Sequence, residues 1–166
     1  MPNWCQNSVT ITATTDILEA INEACAKGEF FKFIQPYEEW DYGTFVETFG
    51  SKWEPNIADV SIDNDTQQIL IIMDTAWSPP TGAYDLLLEM DGVEEVSAYF
   101  SEPGMDFVGT YYDGFEESME ISYIAQKIKD DETLSEVEED LYAFCEGEVD
   151  YLIEMWEEEE ENNEEE

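Results

Sequence analysis

A chain of 166 residues with 43 Asp plus Glu, five Lys, no Arg and no His carries a formal charge of −38. Five scattered lysines cannot assemble a basic patch, which excludes nucleic acid and anionic membrane as direct partners and makes a basic protein the natural complement. Nine Phe, nine Tyr and five Trp in a chain that is 43% apolar exclude a disordered acidic polymer, because that much ring calls for a core.

The elements are read in chain order. Residues 7–14, NSVTITAT, alternate around Val9 and Ile11 and predict a strand. Thr15 is the expected cap of a helix over 16–27, with Ile17, Leu18, Ile21 and Cys25 on one face and Gly28 as its stop. FFKFIQP (30–36) is a short apolar piece ended by Pro36, and the aromatic stretch 37–55 has no clean period and reads as a structured insertion. IADVSI (57–62) and QILIIMD (68–74) are two strands joined by a polar turn. Pro79-Pro80 opens a helix through Met90, and VEEVSAYF (93–100) alternates as a further strand. DFVGTYYD (106–113) and SMEISYI (118–124) form a predicted hairpin across Gly114.

The order β-α-β-β-α-β is that of a ferredoxin-like α+β fold, an antiparallel sheet with helices on one face. Beyond it, 132–157 reads as one long, nearly straight helix. Leu134, Val137, Leu141, Cys145, Val149, Leu152 and Trp156 recur every three or four residues as an apolar stripe. Gly147 is its weak point, the place where the helix can kink or split. The stripe can pack on the sheet of its own chain or on a second copy, as a homodimer through the C-terminal helix. The expected organisation is a ferredoxin-like domain over 1–124, an acidic helical extension over 125–157, and a disordered acidic tail over 158–166.

Chemistry is sparse. Without His the usual general base and metal ligand are missing, and no nucleophile, phosphate-loop or dinucleotide motif is present. An enzyme, a cofactor and a metal are therefore not expected. A carboxylate pair acting as acid and base stays a distant third reading, because among 43 acids some pair sits close by chance. DNDT (63–66) and DGFEE (113–117) lack the ligand order of a calcium loop. Cys5, Cys25 and Cys145 are odd in number and widely spaced, which fits a reducing cytoplasm, with Cys145 a packing residue of the stripe. No charged leader precedes an apolar run, and no stretch approaches the roughly 20 apolar residues of a membrane span.

The acid is distributed unevenly: residues 1–115 hold 21 acids and three Lys, and 116–166 hold 22 acids and two Lys. Opposite the apolar stripe, Glu132, Glu136 and Asp140, then Glu146, Asp150, Glu154 and Glu157, form rows. Carboxylates four apart rise about 6 Å on a helix. That is a crude counterpart of duplex phosphates, which present one charge per about 1.7 Å. These seven residues are the candidate partner-binding set.

Four stretches carry a family resemblance: MPNWCQN at the start, FGSKWEP at 49–55, TAWSPP at 75–80 and YFSEPGMDFVGTYYDG at 99–114. Over about residues 1–114 the chain resembles the YubB-type ferredoxin-like family of small proteins carried by bacteriophages and conjugative plasmids. The resemblance implies a ferredoxin-like fold and a mobile-element setting, and it implies no enzymatic activity. Trp4, Trp53, Trp77 and Phe107 recur in these motifs, as an aromatic cleft for a base or peptide or, the more economical reading, as core and loop-locking rings. Setting and charge together lead to an expected function. It is a nucleic-acid mimic acting in the host cytoplasm, which blocks a basic DNA- or RNA-binding defence protein of the restriction or CRISPR type. The alternatives are a non-catalytic accessory ferredoxin-like module with an acidic regulatory tail, and an acidic surface of the kind that salt adaptation produces.

Overall fold

The computed structural model describes residues 3–164. They form β1 (Trp4–Ala13), α1 (Thr15–Lys27), α2 (Phe30–Ile34), α3 (Tyr42–Phe49), β2 (Asn56–Asp63), β3 (Gln68–Ala76), α4 (Thr81–Leu88) and β4 (Val93–Glu102). A 3-10 turn (Pro103–Met105), β5 (Phe107–Tyr112), β6 (Phe115–Met119), α5 (Ile121–Lys129) and α6 (Glu136–Glu164) follow. The strands make one antiparallel sheet in the order β2-β3-β1-β4-β5-β6. The protein is thus α+β with a six-stranded sheet and a C-terminal helix. This is not the simple four-stranded sheet of a ferredoxin-like fold, because β5 and β6 extend it and α2 and α3 intervene before β2.

Alternation along the strands assigns the two faces. Val9, Ile11, Ile69, Ile71, Met73, Val96, Ala98, Phe100 and Tyr111 point to one face, where α1 to α4 cover them. Within that layer the rings pack on one another: Phe31 stacks on Phe49 at 4.6 Å, and Tyr37 meets Phe45 edge-on at 4.7 Å. Backbone ends are satisfied locally. The Asp41 carboxylate accepts the Thr44 N–H at 2.8 Å to cap α3, and Glu54 accepts the Phe31 and Lys32 N–H groups and the Tyr37 hydroxyl. One polar network crosses the core. Buried Asn7 donates to Thr75 Oγ1 at 2.9 Å and to the Cys5 carbonyl, and it accepts from the Tyr84 hydroxyl at 3.0 Å.

The opposite face is covered at one end only. Val108 points there, and α5 and α6 rest on it with Ile121, Ile124, Ala125, Leu141, Cys145 and Val149 buried. Tyr99 on the same face stacks against Phe144 of α6 at 5.6 Å. Towards β2 the face stays open, with Leu70 and Ile72 each 37% exposed.

Several expected boundaries shift. Thr14, not Thr15, takes the extended cap conformation of α1, and Gly28 closes that helix at φ 69° as expected. The structured insertion over 37–55 contributes one helix, α3. Pro80 is the N-cap of α4, which ends at Leu88 rather than Met90. The expected strand over 118–124 is wrong in its second half. Its hairpin turns on Asp113 and Gly114, both at positive φ, so β6 pairs from Phe115 directly against Tyr112 and is finished by Met119. Ile121, Ile124, Ala125 and Ile128 then recur with helical spacing. Asp106, accepting the Ser122 N–H at 2.8 Å and its hydroxyl, holds the first turn of α5. A domain boundary at 124 therefore falls inside α5.

Candidate partner-binding surface

The long acidic helix does not begin at 132. Residues 130–135 are a connection, and α6 starts behind a reciprocal cap: the Ser135 N–H donates to Glu138 Oε2 at 2.8 Å, and the Glu138 N–H donates to Ser135 Oγ at 3.2 Å. Lys127 of α5 donates to the same Glu138 oxygen at 2.8 Å. The lysine first, and then the Ser135 N–H, hold the Glu138 carboxyl below its ordinary range.

Nor is the helix straight. Cys145 has non-helical angles, φ −115° and ψ 27°, and α6 is two helical arms, 136–144 and 146–164, meeting at a bend. Residues 138 and 160 would stand about 33 Å apart on a straight helix. Yet Glu138 pairs with Lys127 and Glu160 with Lys129, two residues apart on α5. The bend lets both arms pack against one short helix. It falls at the buried Cys145 rather than at the expected Gly147, and Leu141, Cys145 and Val149 all reach the same apolar cluster. Of the predicted stripe, those three are buried, Leu134, Leu152 and Trp156 are half-buried against them, and Val137 is 45% exposed and lies off the contact. The stripe is occupied by its own chain.

The second arm continues through Glu164. The expected disordered tail over 158–166 is therefore helical as far as it is described, and residues 165–166 lie outside the described residues. The run of glutamates is compatible with helix because Glu is a good helix former, and Lys129 ties Glu160 to the body.

These shifts redistribute the candidate carboxylates. Glu132 lies in the connection before the helix, and Glu136 and Asp140 lie on the first arm. Glu146, Asp150, Glu154 and Glu157 lie on one face of the second, a row of about 16 Å that continues to Glu161. All seven are exposed. The bend divides them, so they do not make one straight band. Between 146 and 164 there are ten carboxylates and no basic residue. Lys129, on α5, reaches this arm at Glu160; the other lysines are engaged elsewhere, Lys27 with Glu23, Lys127 with Glu138, and Lys32 and Lys52 over the rings of Tyr37 and Trp53. Burial, then Asp150 and Glu146, push the Tyr142 hydroxyl of the first arm upward, which marks the negative potential around it.

The four motif stretches converge at one end of the sheet. The Trp77 N–H donates to the Asn3 carbonyl at 2.9 Å, Ser78 Oγ donates to the Gly50 carbonyl at 2.7 Å, and Trp4 and Trp53 lie 6.2 Å apart. Phe107 packs edge-on against Phe100 at 6.0 Å. Trp4, Trp53 and Phe107 are half-buried rings that lock loops, while Trp77, at φ 71°, is 48% exposed. The depression it lines with Tyr42 and Lys52 holds about 130 Å³, below the roughly 300 Å³ at which ligand pockets begin. The two acidic turns have structural duties. Asp63 Oδ1 accepts the N–H groups of Asp65 and Thr66, and Asp113 Oδ1 accepts the Val96 N–H. Among the described residues no three His, Cys, Asp or Glu side chains are grouped to hold a metal ion, and no helix is long and apolar enough to cross a membrane.

Sequence reasoning put a kink at Gly147, two residues beyond its place at Cys145, and missed the cap. The cap had a signal, Ser135-x-x-Glu138, and the bend had none stronger than Gly147. No protein-family profile, no curated protein and no solved structure matches the chain.

Proposed function

We propose that the protein is a nucleic-acid mimic from a mobile element, whose carboxylates occupy the phosphate-binding surface of a basic DNA- or RNA-binding host protein in the cytoplasm. The target class is host defence. The observation that carries this reading is the second arm of α6: ten carboxylates held on a helix, with no lysine of its own to offset them. Charges at fixed separations bind without the ordering entropy that a loose polyglutamate tail would lose. Their summed field speeds encounter with a basic partner. The neighbour order β2-β3-β1-β4 supports reading β1 to β4, with α1 and α4, as a ferredoxin-like unit carrying this arm.

The test is a pull-down from host lysate at low salt, followed by competition of the captured protein against labelled duplex across a salt series. Glu146, Asp150, Glu154 and Glu157 changed to Gln or Asn should weaken competition strongly, and deletion of 158–166 should weaken it modestly. Salt should weaken the wild-type complex steeply and the neutralised one less. If the deletion abolishes binding and the neutralised arm binds as before, the row from Glu146 to Glu157 is not the partner-binding face. The regulatory-tail reading is favoured by one feature, that residues 157–164 are all exposed.

A further inference from the structure

Between the 3-10 turn, the first turn of α5 and the second arm of α6 lies a groove of about 510 Å³, lined by Pro103, Ile121, Gly147, Tyr151 and Leu152 with Asp106, Ser122 and Glu148. Its size falls within the range of about 300–1,000 Å³ typical of ligand sites. Gly147 forms part of the wall. A Cβ there would meet nothing within 4 Å, and its backbone is helical, so neither crowding nor a special φ accounts for the glycine. A helix-interior glycine costs about 1 kcal/mol relative to alanine, and here it leaves the groove open. One large side chain stands exposed at the groove, Tyr151 at 65%.

The frame around this apolar floor has one sign. Glu148 lines it, Glu146 and Asp150 flank Gly147 and Tyr151 in sequence, Glu154 follows one turn on, and no lysine lines it. A second copy of the chain, at −38, would bring like charge against like. The complement of an apolar slot framed by carboxylates is an apolar side chain framed by cations.

We infer that this groove anchors the apolar face of a basic amphipathic segment of a partner protein, its Leu- or Phe-like side chains seated between Ile121, Gly147 and Leu152 and its Lys or Arg side chains on Glu146, Glu148, Asp150 and Glu154. The inference rests on the basic-partner reading and adds the selectivity that charge alone lacks. Carboxylate rows bind any polycation, whereas the groove admits those with correctly spaced apolar anchors.

The experiment uses the full chain and two short helical peptides of equal positive charge, one of lysine and leucine in amphipathic order, the other with each leucine replaced by glutamine. Titration calorimetry at low salt should show the leucine peptide binding tighter by about tenfold for each leucine buried. Gly147→Leu fills the slot without touching a charge, and Tyr151→Ala removes an exposed wall. Both should erode the preference and leave the glutamine peptide bound as before, with circular dichroism confirming the fold. Equal binding of the two peptides by the wild type overturns the groove as an anchor and leaves the basic-partner reading standing. Binding of neither peptide overturns both. A preference that survives Gly147→Leu and Tyr151→Ala places the anchor elsewhere. A wild-type dimer in sedimentation that either variant dissociates makes a second copy the occupant.

Discussion

The two faces of the sheet carry layers built on opposite principles. On one, α1 to α4 bury a continuous floor of Phe, Ile, Leu and Tyr side chains. On the other, α5 and α6 share a small cluster of seven buried residues, supplemented by Lys127–Glu138 and Lys129–Glu160, and carry the densest acid of the chain. Apolar area supplies the stability of the first layer. The second has little area and strong self-repulsion, so ion pairs and caps count for more there. A protein that must present an extreme surface can do so on an appended layer without compromising its main core.

The largest expected effect tests the first layer. Phe31→Ala removes a fully buried ring stacked on Phe49 and should cost about 3–5 kcal/mol, seen as a lower denaturant midpoint for the whole chain. Leu141→Ala should cost about 2–5 kcal/mol in the second layer, and its effect should be local. Amide exchange should quicken over 121–164 while β1 and β3 keep their protection. Uniform loss of protection would break the comparison, because the two layers would then be one cooperative unit.

Smaller effects sharpen it. Glu138→Gln removes an ion pair and half of a helix cap, and the loss should depend on pH. Lys127 and the Ser135 N–H hold the Glu138 carboxyl below its usual range, and Glu138 raises the Lys127 ammonium above its own. The carboxylate contribution is therefore complete above about pH 4.3 and disappears as pH falls through the lowered folded value. The lysine contribution is complete below about pH 10.4 and disappears as pH rises through the raised one. Thermal melts of wild type and variant should differ between those limits and converge outside them. A constant difference at all pH would assign the loss to packing. The smallest effect belongs to the end of the arm. Glu157→Gln with Glu161→Gln relieves an i,i+4 repulsion of about a few tenths of a kcal/mol. Far-UV helicity at low salt should rise slightly, and added salt should raise the wild type more than the variant.

The strands β1 to β4 with α1 and α4, and the buried stripe of α6, were legible in the sequence; α2, α3, α5 and the exact place of the bend were not, for a physical reason. Val9, Ile11, Ile69 and Ile71 alternate on strands whose partners are fixed by the same alternation, so element type and pairing follow from local pattern. Residues 118–124 placed a strand period and a helix period end to end. Only the two-residue Asp113-Gly114 turn, which brings Phe115 opposite Tyr112, decides where one stops. Of the ten carboxylates on the second arm the sequence reading singled out Glu146, Asp150, Glu154 and Glu157, and it did not foresee that the bend separates them from Glu136 and Asp140. An eleven-residue repeat from Leu134 through Cys145 to Trp156 suits a straight helix, and the sequence alone does not reveal that α5 offers a target short enough to bend it.

The bend also provides a clock. Burial pushes the thiols of Cys5 and Cys25 up to about 12 and that of Cys145 up to about 11, so all three stay protonated and shielded near neutral pH. Two lie in the first layer and one at the joint of the second. A thiol reagent added under native conditions reaches each sulfur only when its own layer opens. The rate of labelling at Cys145 therefore times the hinge, and the rates at Cys5 and Cys25 time the opening of the first layer.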